Sequence, residues 1–381
     1  MKNYLTDREQ KYIHEHMDEA VRLLEQLGRI PAPSHHEEQR AEFVKQWLLD
    51  QGAQGVYVDE ALNVIFPYEC TADNDVVVIM AHMDIVFPDT EPLPLYTSEG
   101  KMFAPGIGDD TANLVVLLMC VKFVIENRPK ARHGIVFVAN ACEEGLGNLK
   151  GTKAVMAAYG QRVKEFISFD GYMNGLTDDA VGSHRYEVTV RTEGGHSFAN
   201  FGNDNAIYYL SSMIQTLYAR RAPSKAKTTY NVGSITGGTT VNSIAQEASM
   251  LYEFRSVDRD CLKEMEAFFH TVIETYRHMG IDVQVDVKGI RPCRGDVDEN
   301  ALIRLTGSNK AIVEFFTGVE CKIDAGSTDA NIPLSMGIPA NTLGVISGGR
   351  AHTREEWVDL GSMETGFKIA LAVIKQYLSG R

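Results

Sequence analysis

The chain has 381 residues, of which 44% are hydrophobic and 23% are charged. This balance is typical of a folded globular protein and excludes a largely disordered chain, and the length suits about two or three domains. The formal net charge of −14 repels phosphate backbones, so we expect no nucleic-acid partner, although a local metal site remains compatible with it.

Cysteine spacing and apolar runs indicate the compartment. The six cysteines include no CxxC pair, which favours reduced thiols. The longest apolar run, Leu114 to Val121, is far shorter than the about 20 residues of a membrane span. The opening segment MKNYLTDREQ also lacks the apolar core of a signal peptide. We therefore expect a cytoplasmic protein with no membrane partner.

The chain begins with two predicted helices. Apolar residues recur at helical spacing from Ile13 to Leu27, and Gly28 is the expected stop of the first helix. Ser34 and Glu37 match a capping box at the start of the second helix.

Short and uniformly apolar segments follow these helices. Such segments fit central strands that are buried on both faces of a sheet, and they occupy residues 75–80, 134–138 and 166–169. A predicted helix over residues 113–125 separates the first two strands. This alternation predicts an α/β fold in which helices flank a mostly parallel central sheet.

The pattern changes near residue 182. Strands with alternating character and two amphipathic helices replace the uniformly apolar segments, before helix and strand patterns return near residue 299. We therefore expect one discontinuous domain of residues 1–181 and 294–381, and an inserted α+β domain of residues 182–293.

Acidic and imidazole side chains follow the predicted central strands or precede the helix between them. In doubly wound sheets, ligands bind beyond the carboxyl ends of the strands. Like charges about 4 Å apart repel by about 4 kcal/mol at an effective dielectric of 20, so such a cluster needs cations. The absence of cysteine argues against a closed structural zinc site. The side chains are His82, Asp84, Asp109, Asp110, Glu143, Glu144 and Asp170.

Each of these residues alone has an ordinary explanation. A histidine after a strand is usually a loop residue, and Asp110 has the position of a helix N-cap. The convergence of all of them on one edge of the sheet favours a divalent metal site.

Six motifs together resemble a known family. AHMD, GIGDDTAN, ACEEGLG, SFDG, GGHS and AHTREE occur in this order and span nearly the whole chain. They resemble the co-catalytic di-zinc metallopeptidase family of peptidase T, carboxypeptidase G and the aminoacylases. Within that family, GIGDDTAN and EEGLGNLKG are most similar to the peptidase T branch. The resemblance implies a catalytic metal-binding domain with an inserted dimerisation or lid domain.

The resemblance implies two divalent metal ions per subunit, with zinc (Zn²⁺) expected and Co²⁺ or Mn²⁺ as alternatives. Asp84 would orient the imidazole of one ligand, and a cis peptide is expected between Asp109 and Asp110. The implied ligands are His82 and Asp170 for one metal, Glu144 and His352 for the other, and Asp109 as the bridge.

Two further residues acquire catalytic roles through the resemblance. Glu143 would be the general base that activates the water bridging the two metals and then protonates the leaving amine. His196 would reach across a dimer and stabilise the oxyanion in the neighbouring site. The alternative for His196 is that it only caps the turn at Gly194 and Gly195.

Substrate-binding and supporting residues are implied in the same way. Asn242 and Arg255 match positions that hold the substrate backbone or carboxylate, although both also fit ordinary strand surface. Gly349 would let the backbone approach the substrate. Asp329 and Glu356 match residues that support the site without reacting.

The implied activity is hydrolysis of amide bonds. An aminopeptidase or dipeptidase acting on short peptides fits best, and an N-acyl amino acid deacylase or a carboxypeptidase of the same family is the alternative. A third possibility is a relative that has lost catalysis and serves as a binding module, although all expected ligands and Glu143 are present. We also expect a homodimer formed through the inserted domain.

Overall fold

The computed structural model describes residues 3–378. No helix in this range combines the length and the apolar character that a membrane crossing requires. The helices α1 to α10 span, in order, Asp7–Glu15, Met17–Arg29, Glu38–Asp50, Ala112–Asn127, Lys150–Tyr159, Ala206–Ala219, Arg259–His278, Glu299–Thr317, Asn331–Ser335 and Ser362–Lys375.

The strands are shorter and come from both halves of the chain. In chain order, β1 to β18 span Tyr57–Val58, Val64–Tyr68, Val76–His82, Tyr96–Ser98, Lys101–Phe103, Gly134–Asn140, Val163–Phe169, Gly175–Ala180, Gly182–Arg191, Gly195–His196, Thr228–Gly237, Ser243–Ile244, Glu247–Ser256, Asp282–Arg291, Lys322–Gly326, Ala340–Leu343, Gly348–Gly349 and Trp357–Asp359.

The chain divides into two compact units. Unit 1 comprises Met1–Asp179 and Asp296–Arg381, and unit 2 comprises Ala180–Gly295. These bounds differ by two residues from the domain limits expected from the sequence.

Unit 1 is built on an eight-stranded sheet in the order β1-β2-β6-β3-β7-β16-β8-β15. Strands β6, β3, β7 and β16 run parallel to one another, and every residue of β3 and β6 is buried. Helix α4 is buried from Ala112 to Val121, so its apolar run packs in the core. The predicted α/β fold with a mostly parallel central sheet is confirmed.

The N-terminal helices differ from the prediction in two ways. The first predicted helix is broken at His16, and Gly28 lies inside α2, where a Cβ would come within 2.7 Å of the Ile107 side chain. Glu37 precedes α3 but its side chain makes no capping bond. The capping box lies instead at Thr6 and Glu9, at the start of α1.

A small four-stranded sheet, in the order β17-β18-β5-β4, completes the strands of unit 1. It brings the segment around His352 next to the loop before α4, since β18 pairs with β5. The C-terminal part of the chain therefore supplies one side of the region beyond the central strands.

Unit 2 is a separate α+β structure. Its sheet has the order β11-β13-β9-β14, and all its neighbouring strands are antiparallel. Helices α6 and α7 cover one face around a core that includes Tyr186, Phe254 and Phe269. Strands β10 and β12 of the same unit pair as an antiparallel two-stranded ribbon.

Candidate metal centre

Three neighbouring parallel strands end at the candidate metal centre. His82 is the last residue of β3, Asp170 follows β7 directly, and Glu143 and Glu144 come shortly after β6. Because β6, β3 and β7 are adjacent and parallel, their carboxyl ends meet at one edge of the sheet. Side chains distant in the sequence are thereby brought together.

Two groups of ligand-type side chains share one residue. His82, Asp109 and Asp170 form one group, and Asp109, Glu144 and His352 form the other, with candidate ligand atoms within 4.8 Å of one another in each. Oδ1 of Asp109 lies 3.2 Å from Nε2 of His82, and its Oδ2 lies 3.1 Å from Nε2 of His352. The carboxylate thus faces both groups, as a bridging ligand must. The structure brings together all five residues that the resemblance implies as ligands.

The hydrogen bond of His82 determines which ring nitrogen can bind a metal. Its Nδ1 lies 3.0 Å from the main-chain oxygen of Asp84, which can only accept, so Nδ1 carries the proton. In the neutral ring Nε2 then presents its lone pair towards Asp109. This tautomer is the one that a metal ligand needs.

The acids of the centre favour bound cations. Burial and the nearby charge of Asp109 raise the pKa of Asp170 to about 7. The nearby carboxylates of Asp109 and Glu144 raise the pKa of His352 to about 10. Burial lowers the pKa of His82, but the carboxylates around it outweigh burial and raise it well above its usual value. The centre therefore stabilises positive charge.

In the described part of the chain, the side chain of Asp170 has no partner and that of Glu144 contacts the imidazole of His352. The side chain of Asp170 makes no hydrogen bond or ion pair within residues 3–378, and Oε1 of Glu144 is buried without a hydrogen bond there, although Nε2 of His352 lies 3.4 Å from it. Buried charges in proteins are paired or coordinate metals. The donor set of three carboxylates and two imidazoles fits two divalent ions, and cysteine is absent from it.

The carboxylate of Asp84 connects β3 to the segment after β6. It accepts hydrogen bonds from the main-chain N–H of Glu143 at 2.9 Å and of Glu144 at 3.0 Å, and from the Ser34 hydroxyl at 2.7 Å. Its Oδ1 lies 3.5 Å from Nδ1 of His82. Asp84 therefore positions both acids of the EE pair as well as the imidazole.

Glu143 is held close to this network. The residue is 6% exposed, and its backbone N–H is fixed by Asp84. The preceding Cys142 has a positive φ of 59°, and its N–H donates to Glu37. The turn that presents Glu143 and Glu144 is therefore fixed by Asp84 and Glu37.

Asp110 and Asn113 form a hub, that is, a hydrogen-bond network that joins several segments. The sequence did not predict that they act together. Asp110 accepts a hydrogen bond from the main-chain N–H of His82 and from the amide of Asn113. The Asn113 amide also donates to the Gly171 carbonyl, and its oxygen accepts from the N–H of Val345. The pair thus links β3 with the segments that follow β7 and β16. The expected cis peptide between Asp109 and Asp110 is present.

Glu356 holds the loop that carries the bridging aspartate. Its buried carboxylate accepts the main-chain N–H groups of Gly106, Gly108 and Asp109, at 3.1, 2.8 and 2.6 Å. Burial raises the pKa of Glu356 to about 7, and the charge of Asp109 adds to this rise. Glu356 therefore fixes the backbone of this loop, and its role as a supporting residue stays a prediction.

Asp329 lies in the C-terminal part of unit 1 and supports the end of β6. It is fully buried and accepts hydrogen bonds from Asn140, the last residue of that strand, and from the Thr152 hydroxyl. Asn140 pairs with His82 across the two parallel strands. Asp329 therefore acts through its neighbours.

His196 and Asn242 lie on the ribbon of unit 2. Nδ1 of His196 accepts the backbone N–H groups of Phe198 and Ala199, so the ring proton of the neutral form is on Nε2. The backbone oxygen of Asn242 accepts from Ser197, and its side chain accepts from Thr240. Both residues are exposed, and the ribbon presents an N–H donor on the imidazole.

Arg255 and Gly349 have local structural partners. The guanidinium of Arg255 forms two 3.0 Å hydrogen bonds to the carboxylate of Glu253. A Cβ at Gly349 would lie 3.1 Å from the Trp357 ring, against which this residue packs. A substrate-binding role for either residue stays a prediction.

Known proteins share this architecture. A family model described as peptidase family M20/M25/M40 matches residues 78–376. Succinyl-diaminopimelate desuccinylase of Corynebacterium glutamicum is 26% identical over 95% of this chain and 97% of its own length.

Two solved structures are also similar. A tripeptidase from Staphylococcus aureus has a TM-score of 0.76, and aminopeptidase PepT from Bacillus cereus has a TM-score of 0.71. Each is 20% identical and covers 95% of this chain and 98% of its own, which shows a common fold. Because the family model matches most of the chain, including the strands that carry the candidate centre, this protein is a member of peptidase family M20/M25/M40.

Proposed function

We propose that this chain is a metal-dependent hydrolase of amide bonds that acts on short peptides as an aminopeptidase or dipeptidase. The observation that carries the proposal is the pair of ligand groups that share Asp109. Three carboxylates in these groups nearly balance the charge of two divalent ions together with hydroxide. The expected ion is zinc, and Co²⁺ or Mn²⁺ suits the same atoms.

Different residues of the chain have different roles in hydrolysis. Two bound divalent ions would polarise the scissile carbonyl and acidify the attacking water. Glu143 takes the proton of that water and delivers it to the leaving amine. Asp84 keeps Glu143 and Glu144 in register through their N–H groups, and Nε2–H of His196 is the donor for the developing oxyanion.

A paired turnover assay tests the substrate class. Metal-loaded protein is given a tripeptide with a free amine and its N-acetylated twin, with a chelated sample and the Glu143→Ala variant as blanks. We expect cleavage of the free peptide alone. Two bound metals without turnover of any peptide or N-acyl amino acid would contradict the proposal and favour a binding module.

A second candidate is an N-acyl amino acid deacylase. The curated relative described above is a desuccinylase, and its similarity extends over nearly the full length of both chains. An N-succinyl amino acid is therefore the third arm of the same assay. Release of succinate without cleavage of the free peptide would establish this alternative, whereas release of a C-terminal residue from the blocked twin would indicate a carboxypeptidase.

Unit 2 has features that support a homodimer. Strand β11 is an edge strand, which leaves backbone groups available for pairing. Its Ile235, and Tyr208 and Tyr218 of α6, are exposed. We therefore propose pairing of two chains through this unit. Sedimentation velocity checks it, and a dimer that survives Ile235→Lys and Tyr208→Glu together would argue for another interface.

The trans action of His196 has its own test. In a mixed dimer of Glu143→Ala and His196→Ala chains, one site recovers both groups if the histidine serves the neighbouring subunit. We expect mixing to restore activity that neither variant has alone. If mixing leaves the activity at the level of the separate variants, the histidine acts within its own chain.

The cysteines bear on the cellular compartment in which the enzyme works. All six cysteines are free, which is compatible with a reducing environment. We propose that the enzyme works in the cytoplasm.

A further inference from the structure

A cavity lies at the amino ends of the central strands of unit 1. It has a volume of about 340 Å³ and is bounded by Val77 at the start of β3, His133 just before β6 and Lys164 at the start of β7. The metal-centre ligands lie at the opposite ends of these strands. A seven-residue strand is about 20 Å long, so the cavity is separate from that centre.

The cavity is cationic in a strongly acidic protein. Its lining includes Arg132, Lys164 and Arg304, against the single carboxylate of Glu165. Oε2 of Glu165 already accepts the Tyr377 hydroxyl at 2.6 Å. His133 adds a ring nitrogen to the same lining. A local excess of positive charge on a chain with a net charge of −14 is not accounted for by hydrolysis at the other end of the sheet.

The two guanidinium groups are available for a ligand. Within residues 3–378, the side chains of Arg132 and Arg304 make no hydrogen bond or ion pair, and both are exposed. Among the described residues, Lys164 has only an exposed contact of 3.4 Å with Asp75, a kind of pair that is weak in water. Three cations therefore face the cavity with little competition from the protein.

The walls of the cavity are fixed by buried residues. Val77, Leu305 and Tyr377 are almost fully buried, and the backbone N–H of Arg132 donates to the Tyr377 carbonyl at 2.8 Å. Gln376 hydrogen-bonds to Ser308 and Asn309 of α8. The helices α8 and α10 are thus joined at the cavity, which gives it a defined shape.

We propose that this cavity is a binding site for a small oxyanion with two or more negative charges. Guanidinium groups pair in a planar, two-point manner with phosphate and with carboxylate oxygens, and a volume of this size is in the usual range for small-molecule sites. A phosphate and a dicarboxylate would be recognised by these guanidinium groups in the same way.

Calorimetric titration of the metal-loaded full chain tests the proposal. Inorganic phosphate is the first probe and glutarate the second, both at constant ionic strength because exposed charges are screened by salt. The test variant is Arg132→Ala with Arg304→Ala. The control is Arg22→Ala with Arg221→Ala, which removes the same charge at two exposed positions outside the cavity.

We expect the test variant to bind the preferred probe at least about tenfold more weakly, since it loses two charge-assisted contacts. The control should bind it as the unchanged protein does. Tighter binding of phosphate would identify a phosphorylated ligand, and tighter binding of glutarate a dicarboxylate. The site would be overturned if the test and control variants lose affinity equally. It would also be overturned if the unchanged protein binds the probes no more tightly than the test variant does.

The charge-reversal variant Arg304→Glu gives a second check. Because Arg304 is exposed on α8, its replacement should leave the thermal midpoint unchanged while it abolishes binding of the preferred probe. Unchanged binding in this folded variant would also overturn the site. The readout is binding, so the outcome is independent of whether the proposed hydrolase activity is found.

Discussion

The candidate metal centre of unit 1 and the β10–β12 ribbon of unit 2 hold their polar side chains in opposite ways. In the centre, Asp84, Asp110 and Glu356 are buried and accept hydrogen bonds from main-chain N–H groups of other segments. On the ribbon, His196 and its neighbour Phe198 are exposed, the latter to 89%. The centre is therefore shaped by the packing of its own chain, whereas the ribbon is free to contact another molecule.

This difference predicts distinct responses to mutation. Changes that remove support from the centre should reduce metal affinity or stability, because buried hydrogen-bonding groups lose their partners. Changes on the ribbon should reduce turnover and leave folding intact, because little of the ribbon is packed.

Glu143→Ala should have the largest effect. We expect kcat to fall by about 10²–10⁴-fold, since general base catalysis is lost, while metal analysis still finds two ions per subunit. Steady-state kinetics with metal analysis of the same sample measures both. Activity within a few fold of the unchanged protein would assign the base to another residue.

His196→Ala should reduce kcat by about 10²-fold, the usual cost of losing one oxyanion donor. The thermal midpoint should stay the same, because in the described part of the chain the ring bonds only to two N–H groups of its own loop. His36→Ala, at another exposed position, is the matched control and should be neutral. A drop in the thermal midpoint of the His196 variant would mean that the ribbon is packed as the centre is.

Glu356→Gln should weaken metal binding by about 10–100-fold, the usual range for residues that orient ligands. The amide can no longer accept from all three N–H groups of the Asp109 loop. Competition with a chromogenic chelator measures the affinity, with the exposed neighbour Glu355→Gln as control. Equal affinities in the two variants would show that the loop holds its shape without this carboxylate.

Asn113→Ala should have the smallest effect on activity and a clear one on stability. It removes the hydrogen bonds that Asn113 makes to Oδ1 of Asp110 and to the N–H of Val345, which costs about 1–3 kcal/mol in the free energy of unfolding. Urea denaturation measures this, and Asn127→Ala at the end of the same helix is the control. A loss no greater than that of the control would mean that water replaces the amide.

The sequence predicted the ligand-bearing strands well because they have strong local patterns. The uniformly apolar segments ending near His82, Asn140 and Phe169 fit buried strands, and parallel strands place the residues that follow them at one edge of the sheet. A change to alternating strands near residue 182 was the local pattern from which the inserted domain was predicted.

Other features depend on contacts between distant residues and were beyond local patterns. Ser34 and Glu37 have the spacing of a capping box, yet Ser34 donates to Asp84 and Glu37 accepts from Cys142. The sequence has the capping pattern, but both side chains hydrogen-bond to residues distant in the sequence and not to the start of the helix. The Asp110–Asn113 hub was missed because an asparagine in a helix gives no signal of bonds to residues 58 and 232 positions away.

The ligands of the centre are also spread along the chain in a way that affects its biogenesis. His82, Asp109, Glu144 and Asp170 precede unit 2, whereas His352 and the supporting Glu356 follow it. A ribosome therefore synthesises all of unit 2 before the second candidate ligand group can exist. Until His352 has emerged, the acidic edge of the sheet has only the first of the two groups.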